Sequence, residues 1–182
     1  YIVKNDEDLD SSTQYLFENV PLPLVIKPVS TGALQGITLV LAHKDIPDAL
    51  ENAFHYSDKA LIEEYIRGKE ASVGILENFR GQQTYALVPI EVLNGERHYP
   101  ASFSESEREA LETTAKKAHQ ALSLRHYSKI DLIITPKGNV YVLEANTLPR
   151  LENDQTLPQL LEVVGCTMSD FLDHVIDLAL QK

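Results

Sequence analysis

The chain has 182 residues, of which 43% are hydrophobic, so it can form one sizeable domain or two small lobes, and no apolar run approaches the roughly 18 residues that cross a bilayer. Its formal net charge of −11 argues against a nucleic-acid partner, because binding to phosphate backbones requires clustered Lys and Arg side chains. Cys166 is the only cysteine, which excludes an internal disulfide framework and favours a reducing cytoplasm. Because the sequence starts at Tyr1 rather than Met, we interpret it as a fragment.

The first third of the chain predicts a small sheet with one helix, and no element is predicted before residue 24. The apolar residues 24–26 form a strand that ends in Lys27-Pro28, and a glycine-bounded turn separates it from a second apolar run, which predicts a hairpin. Pro47 suits the first turn of the helix that follows. The predicted elements are strands over 24–26 and 37–42, a helix over 45–56 and a strand over 60–66.

The rest of the chain predicts a second sheet followed by helices. Ser104 and Glu107 have the spacing of a capping box, which predicts the start of a helix. The predicted elements are strands over 71–76 and 84–92, a helix from the Ser104 cap to about residue 124, a hairpin of strands over 127–134 and 140–145, and helices over 157–164 and 169–180. Strand runs followed by helices favour an α+β fold with mainly antiparallel sheets.

Three side chains of the second hairpin predict a metal site. The turn at residues 136–139 folds one strand back on the other, so Asp131 and Glu144 can lie on neighbouring strands and face the same space. Asn146, two residues after Glu144, projects to the same side if the strand continues. Two carboxylates and an amide oxygen are hard ligands that suit Mg²⁺. The alternative is a solvated hairpin face with scattered acids.

Two further segments could bind a phosphorylated ligand. Lys27 at a strand end, followed by Gly32 and Gly36, can bring an ammonium and backbone N–H groups to phosphate oxygens, although the pattern is not a Walker A loop. The strand that holds Glu63 and ends near Ile66 offers backbone groups for an adenine edge, and Glu70 can accept hydrogen bonds from ribose hydroxyls. Taken alone, the first segment is better explained as an ordinary flexible hairpin, and a charged edge strand explains the second at least equally well.

Together, the order and spacing of these motifs resemble the D-alanine–D-alanine ligase family of the ATP-grasp superfamily. The resemblance runs from about residue 24 to residue 180 and includes Glu144-Ala145-Asn146-Thr147-Leu148-Pro149. It implies an ATP-grasp fold, with a small lobe over 1–65, a large lobe with the metal site over 66–182, and a nucleotide cleft between them. The separate N-terminal domain of the family is absent from this chain.

The resemblance also implies a reaction and a role for each candidate residue. Phosphate would be contacted by Lys27 and the two glycines. The adenine would be contacted by Glu63 and the Ile66 backbone, and the ribose by Glu70. Mg²⁺ would be bound by Asp131, Glu144 and Asn146. In the family, ATP phosphorylates a carboxylate, and an amine then attacks the resulting acylphosphate, so the partners are amino-acid or other small carboxylate substrates. The oligomeric state stays open.

Several residues depart from the family pattern on the side expected to face the substrates. Ala33 and Leu34 replace two serines, Lys129 replaces an arginine as the candidate catalytic residue, and Arg150 and Gln155 replace a glycine and a serine. The family's longer loop with a catalytic Lys-Tyr pair is reduced to residues 92–99, which contain no lysine, so either the protein lacks this lid or residues of the loop are missing from the sequence. Two alternatives therefore stay open: an ATP-grasp ligase for other amino acids or small acids, and a non-catalytic nucleotide-binding module.

Overall fold

The computed structural model describes residues 1–30, 35–93 and 95–181. The chain divides into two compact units, Tyr1–Ile66 and Arg67–Lys182. The predicted lobes have nearly the same limits, and their identification with these units stays a prediction. Within the described ranges, no helix is both long enough and apolar enough to cross a bilayer.

In its described residues, the first unit is a four-stranded antiparallel sheet with two helices. The strand order is β1-β4-β2-β3. The strands are β1 (Ile2–Lys4), β2 (Leu24–Pro28), β3 (Thr38–Val40) and β4 (Lys59–Glu64), and the helices are α1 (Leu9–Asn19) and α2 (Ile46–Phe54), with a short 3-10 turn at His43–Asp45.

The alternation of side chains along β2 separates the core of the first unit from its second sheet face. Leu24, Ile26 and Pro28 are buried, whereas Val25 and Lys27 are only half-buried. Because neighbouring residues of a strand point to opposite faces, Lys27 lies on the face away from the buried cluster. That cluster also contains the buried residues of α2, which are Ile46, Ala49, Leu50 and Ala53.

The second unit has a larger sheet and three helices in its described residues. The strand order is β10-β9-β5-β7-β8, all neighbours are antiparallel, and β6 pairs with the far end of β5. The strands are β5 (Lys69–Phe79), β6 (Gln82–Ala86), β7 (Ile90–Leu93), β8 (Glu96–His98), β9 (Tyr127–Ile134) and β10 (Val140–Asn146), and the helices are α3 (Glu105–Ala121), α4 (Thr156–Val163) and α5 (Met168–Leu180).

The two faces of this second sheet differ in chemistry. One face is apolar and packs against α3 through a buried cluster that includes Val73, Leu111, Ala115, Ile130 and Leu132. On the opposite face, one end is covered by α4 and α5 through a cluster that includes Leu76, Leu87, Ile90, Leu160 and Phe171. Because side chains alternate along a strand, Glu70 and Ser72 share this second face with Leu76. A polar stretch therefore lies beside an apolar one.

Most predicted elements are confirmed with shifts of a few residues at their ends. The strands β2 and β3 pair as the first predicted hairpin, and β9 and β10 as the second. Both capping-box residues of α3 make the expected bonds: Ser104 caps the Glu107 backbone N–H, and the Glu107 carboxylate accepts from the Ser104 backbone. The predicted α+β fold with antiparallel sheets is confirmed.

One strand prediction is wrong, and another strand ends two residues early. The segment 84–92 is not one strand, because Leu87 turns into the cluster under α4 and donates its backbone N–H to Gly74 at 2.8 Å, and Pro89 has no N–H to donate. The last predicted strand of the first unit ends at Glu64 rather than Ile66. The Tyr65 N–H still bonds to the Pro23 carbonyl at 3.0 Å, but Pro23 has no N–H to donate in return, so the ladder stops there.

Three short or N-terminal elements, β1, α1 and β8, are missing from the prediction. A signal for α1 was present in the sequence, since the Asp8 side chain caps the helix by accepting the Ser11 backbone N–H at 3.0 Å.

A buried histidine makes the stability of the second unit depend on pH. His119 is 1% exposed, its Nδ1 lies 2.8 Å from Ser128 Oγ, and its Nε2 lies 3.7 Å from a carboxylate oxygen of Glu77. Burial lowers the pKa of His119, and the nearby Glu77 charge offsets only part of this effect. The unfolded chain therefore binds a proton that the folded chain rejects, and stability falls as the pH drops below about 6.5.

We expect the free energy of unfolding, measured in urea between pH 8 and pH 5, to fall in acid by at most about 1.4 kcal/mol per pH unit from this residue. The variant His119→Asn should be less stable at pH 8 but show a smaller decline in acid. His98→Gln, at an exposed strand position, serves as the matched control and should keep the wild-type slope. An unchanged slope in His119→Asn would contradict the assignment.

Candidate functional site

Three polar side chains form a row across the polar face of the second sheet. Asp131 on β9 pairs in register with Ser72 on β5 and with Glu144 on β10. Directly opposed residues of antiparallel strands point to the same face and have Cβ atoms about 4.5–5.5 Å apart. In the next row, Lys129 pairs with Gly74 and with Asn146. The structure therefore brings the three predicted metal ligands and Lys129 together.

A β-bulge sets this arrangement. The register between β9 and β10 shifts between Val142 and Glu144. An unbroken register would place Leu143 opposite Asp131 and would turn Glu144 toward the apolar face under α3. The extra residue instead brings Glu144 opposite Asp131, which is the role that bulges often have beside functional sites.

The Asp131 carboxylate is held by two donors. Ser72 Oγ donates to Asp131 Oδ1 at 2.6 Å, and Lys129 Nζ donates to Asp131 Oδ2 at 2.6 Å. The side chains of Lys129 and Asp131 are only 16% and 21% exposed, so water screens this ion pair less than a pair on the open surface. Each carboxylate oxygen keeps a second lone pair that can still bind a cation.

Glu70 lies two residues before Ser72 on the same face of β5, and its carboxyl is affected by the charge of Asp131. Partial withdrawal from water raises the pKa of Glu70, and the negative charge of Asp131 raises it further. A cation bound at this face would oppose both effects, because it favours the charged form of each acid.

The donor atoms of this face fit Mg²⁺. Asp131 and Glu144 provide carboxylate oxygens, and Asn146 adds an amide oxygen that accepts the Leu148 N–H at 2.9 Å. Hard oxygen ligands of this kind suit Mg²⁺, which commonly takes one or two carboxylates and completes its shell with water and phosphate. In the described part of the chain, no three His, Cys, Asp or Glu side chains gather as a metal-binding group, so the candidate site depends on two carboxylates and one amide.

The predicted phosphate and adenine residues of the first unit lie on one sheet face. Lys27 on β2 forms an ion pair with Glu63 on β4, and their side chains are 24% and 37% exposed. Glu63 pairs in register with Val25, so both charged side chains lie on the face away from the core. Leu39 of β3, which pairs with Val25, is 46% exposed beside them. This face combines a charged pair with apolar surface.

Two further predicted nucleotide residues, Gly36 and Ile66, lie outside the strands and helices. Gly36 has a φ of +76°, and a Cβ there would lie 2.6 Å from Pro28 Cγ and 2.7 Å from Tyr56 Cδ2, so the turn itself requires glycine. Gly32 lies outside the described residues. Ile66 is half-buried in the connection between β4 and β5. The ligand roles of Gly36 and Ile66 stay predictions.

Ser72 is a site residue that the sequence reasoning did not identify. It is 4% exposed, in a strand segment where its neighbours Ala71 and Val73 are buried and apolar. A buried hydroxyl in such a run requires a partner, which was the available signal. Its partner, Asp131, lies 59 residues away, so only the folded sheet reveals the contact.

The strands β7 and β8 form a hairpin. Glu91, Val92 and Leu93 pair with His98, Arg97 and Glu96, respectively. Arg97 Nη1 donates to the Asp154 carbonyl at 2.7 Å, which attaches the hairpin to the segment after β10. Glu91 accepts from both the backbone N–H and the hydroxyl of Ser102, at 2.9 and 3.0 Å, so the base of the hairpin is also fixed.

Comparison with known proteins identifies strong similarity to one family. A family model described as D-ala D-ala ligase C-terminus matches residues 2–177. The D-alanine–D-alanine ligase of Geobacter sulfurreducens is 31% identical over 186 residues, covering 96% of this chain and 57% of the relative. That of Syntrophobacter fumaroxidans is 32% identical over 192 residues, covering 96% and 59%. The chain therefore spans less than three-fifths of the length of these relatives.

Solved structures agree with the sequence comparison. The D-alanine–D-alanine ligase of Coxiella burnetii superposes with a TM-score of 0.85 at 25% identity, covering 98% of this chain and 50% of that one. The ligase of Bacillus anthracis, solved in complex with ATP, gives a TM-score of 0.82 at 24% identity, covering 100% and 58%. The predicted ATP-grasp fold is confirmed by these neighbours.

Proposed function

This chain belongs to the D-alanine–D-alanine ligase C-terminal family, and we propose that it is the ATP-binding part of an ATP- and Mg²⁺-dependent carboxylate–amine ligase. The observation that carries the proposal is the row of Ser72, Asp131 and Glu144 across three strands, with Asn146 in the adjacent row. A solvated hairpin face would not require a bulge to bring its two acids opposite each other.

The metal would be held by Asp131, Glu144 and Asn146. Bound there, Mg²⁺ would neutralise charge on the phosphate oxygens of ATP. Ser72 Oγ already holds one oxygen of the Asp131 carboxylate, so this ligand is oriented before any cation arrives. Such preorganisation reduces the entropy lost on binding.

The nucleotide would be held mainly by the outer sheet face of the first unit. The exposed apolar surface near Leu39 suits a flat adenine ring, and Glu63 can accept from its amino group once Lys27 turns to phosphate. The backbone of Ile66 and the carboxylate of Glu70 are the proposed contacts for the adenine edge and the ribose hydroxyls.

The proposed reaction begins when a substrate carboxylate attacks the γ-phosphorus of ATP and displaces ADP. The resulting acylphosphate is then attacked by an amine, which forms an amide bond and releases inorganic phosphate. Lys129 can neutralise negative charge that develops on the transferred group, since its ammonium lies beside Asp131. Lysine provides this charge without the bidentate geometry of the arginine usual in the family.

The proposed substrates are small amino acids or related carboxylates, with D-alanine first to be tested. An acidic chain with a net charge of −11 supports small-molecule rather than nucleic-acid partners. The cytoplasm is the proposed location, because ATP is available there and the buried thiol of Cys166 needs no oxidising environment.

A second candidate function is nucleotide binding without efficient ligation. The hairpin of β7 and β8 supports it, because this fixed segment contains no lysine where the family carries its catalytic loop. A ligase with other substrates also stays open, since Lys129 replaces the usual arginine. ATP turnover that requires an added amino acid would distinguish an enzyme from a binding module.

The first test is metal-dependent nucleotide binding. We expect the chain to bind Mg·ATP in calorimetry, and Glu144→Ala to weaken this binding more than the binding of adenosine, because adenosine needs no metal. Glu109→Ala is the matched control, since this exposed acid lies on α3, against the opposite face of the sheet. Equal losses for both ligands in Glu144→Ala would contradict the metal role.

A further inference from the structure

The hydroxyl of Ser72 occupies an unusual position for a serine. Residues 71–76 of β5 are all buried, and β5 is an inner strand that pairs with β9 on one side and with β6 and β7 on the other. A small polar side chain adds little to packing in such a strand. Its hydroxyl requires a hydrogen-bond partner, because leaving it unpaired would carry the full desolvation penalty.

The partner is the central predicted metal ligand. Ser72 Oγ and Asp131 Oδ1 are 2.6 Å apart, which is the length of a strong charge-assisted O–H···O⁻ bond. The two residues are directly opposed across β5 and β9, so the backbone ladder fixes both ends of the contact. The contact therefore restricts rotation of the carboxylate about its side-chain bonds.

A second donor, the ammonium of Lys129, binds the same carboxylate. Lys129 Nζ binds Oδ2 at 2.6 Å and comes from the same strand, two residues earlier. Its flexible four-carbon stem allows it to move toward an incoming phosphate, whereas the short Ser72 side chain cannot leave Oδ1 in the same way. Once Lys129 moves, Ser72 is the donor that still holds the orientation of Asp131.

We propose that Ser72 is a positioning residue, which orients Asp131 for a divalent cation and thereby sets the affinity of the metal site. The inference rests on the proposed function. Ser72 itself touches neither metal nor nucleotide, and it acts through Asp131. Outer partners of metal ligands commonly change metal affinity by about 10- to 100-fold when they are removed.

The test measures metal and nucleoside binding separately in the whole chain. Mn²⁺ is titrated by electron paramagnetic resonance, alone and with the non-hydrolysable analogue β,γ-imido-ATP, and adenosine is titrated by calorimetry. We expect Ser72→Ala to weaken Mn²⁺ binding by about 10- to 100-fold and to leave adenosine affinity unchanged. Ser72→Thr, which keeps the hydroxyl, should restore most of the Mn²⁺ affinity.

Other results would contradict either the positioning role of Ser72 or the proposed function. Wild-type Mn²⁺ affinity in Ser72→Ala, or a parallel loss of adenosine binding, would overturn the positioning role. If Ser72→Ala does not fold, Ser72→Cys replaces it, because a thiol is nearly isosteric but a much weaker donor, and the same selective loss is expected. A wild-type chain that binds neither Mn²⁺ nor adenosine would overturn the proposed function instead.

Discussion

Replacing Lys129 with methionine should strengthen metal binding and weaken catalysis at the same time. Met keeps most of the length and apolar character of the lysine stem but removes the ammonium that lies 2.6 Å from Asp131 Oδ2. A divalent cation must share this carboxylate with Lys129, and two positive charges a few ångströms apart repel strongly where water is partly excluded. Without Lys129, affinity for Mn²⁺ in the absence of nucleotide should rise several-fold.

Turnover should change in the opposite direction. In the proposed reaction, Lys129 is the nearby cation that neutralises charge on the transferred phosphoryl group, and losing one such donor typically lowers the rate by about 10² to 10³. The measurement is phosphate release from Mg·ATP with an added amino acid, together with Mn²⁺ titration of the same sample. A purely structural role for Lys129 would lower both quantities.

Two variants control this experiment. Lys137→Met removes the same charge from the exposed turn between β9 and β10, so it should change neither measurement. Lys129→Arg keeps the positive charge and supplies a fork of donors, so turnover should be retained. Unchanged turnover in Lys129→Met would remove this residue from the proposed mechanism, and weaker Mn²⁺ binding would contradict its competition with the metal.

The main features of the second sheet could be predicted from the sequence because they depend on local patterns. Apolar runs around the turn at residues 136–139 predict the hairpin, and the capping box predicts the start of α3. The exact partner of Glu144 could not be obtained this way. Counting from the turn places Leu143 opposite Asp131, and only the bulge after Val142 brings Glu144 there. A one-residue irregularity has no clear signature in an apolar run.

Contacts between distant segments were equally inaccessible from sequence. The bond from Ser72 to Asp131 depends on the register of β5 against β9, and nothing local to Ser72 identifies its partner. The interruption of the predicted strand over 84–92 also has a tertiary cause, since Leu87 is buried under α4. By contrast, Pro89 indicated from the local sequence alone that the strand would not continue.

The second large effect concerns the fate of the activated intermediate. With Mg·ATP and D-alanine, we expect this chain to release phosphate in excess over dipeptide by about 10²-fold or more. The reason is that this chain lacks the family's loop with its Lys-Tyr pair, which would stabilise the acylphosphate and shield it from water. The hairpin of β7 and β8 lies where the family carries a longer loop. Arg97 attaches it to the Asp154 carbonyl, and Glu91 holds Ser102 at its base. Both contacts oppose movement of this hairpin over a substrate.

Two measurements made together test this uncoupling. Phosphate and D-alanyl-D-alanine are quantified in the same reaction, and a parallel reaction contains hydroxylamine, which traps an acylphosphate as a hydroxamate. Asp131→Asn, which removes one metal ligand charge, provides the background for contaminating ATPases. Hydroxamate formed by the wild type but not by Asp131→Asn would show that the first step occurs, and phosphate in excess over dipeptide would show that the second step fails. Equal amounts of phosphate and dipeptide would contradict the prediction, because water would then be excluded without the family's loop.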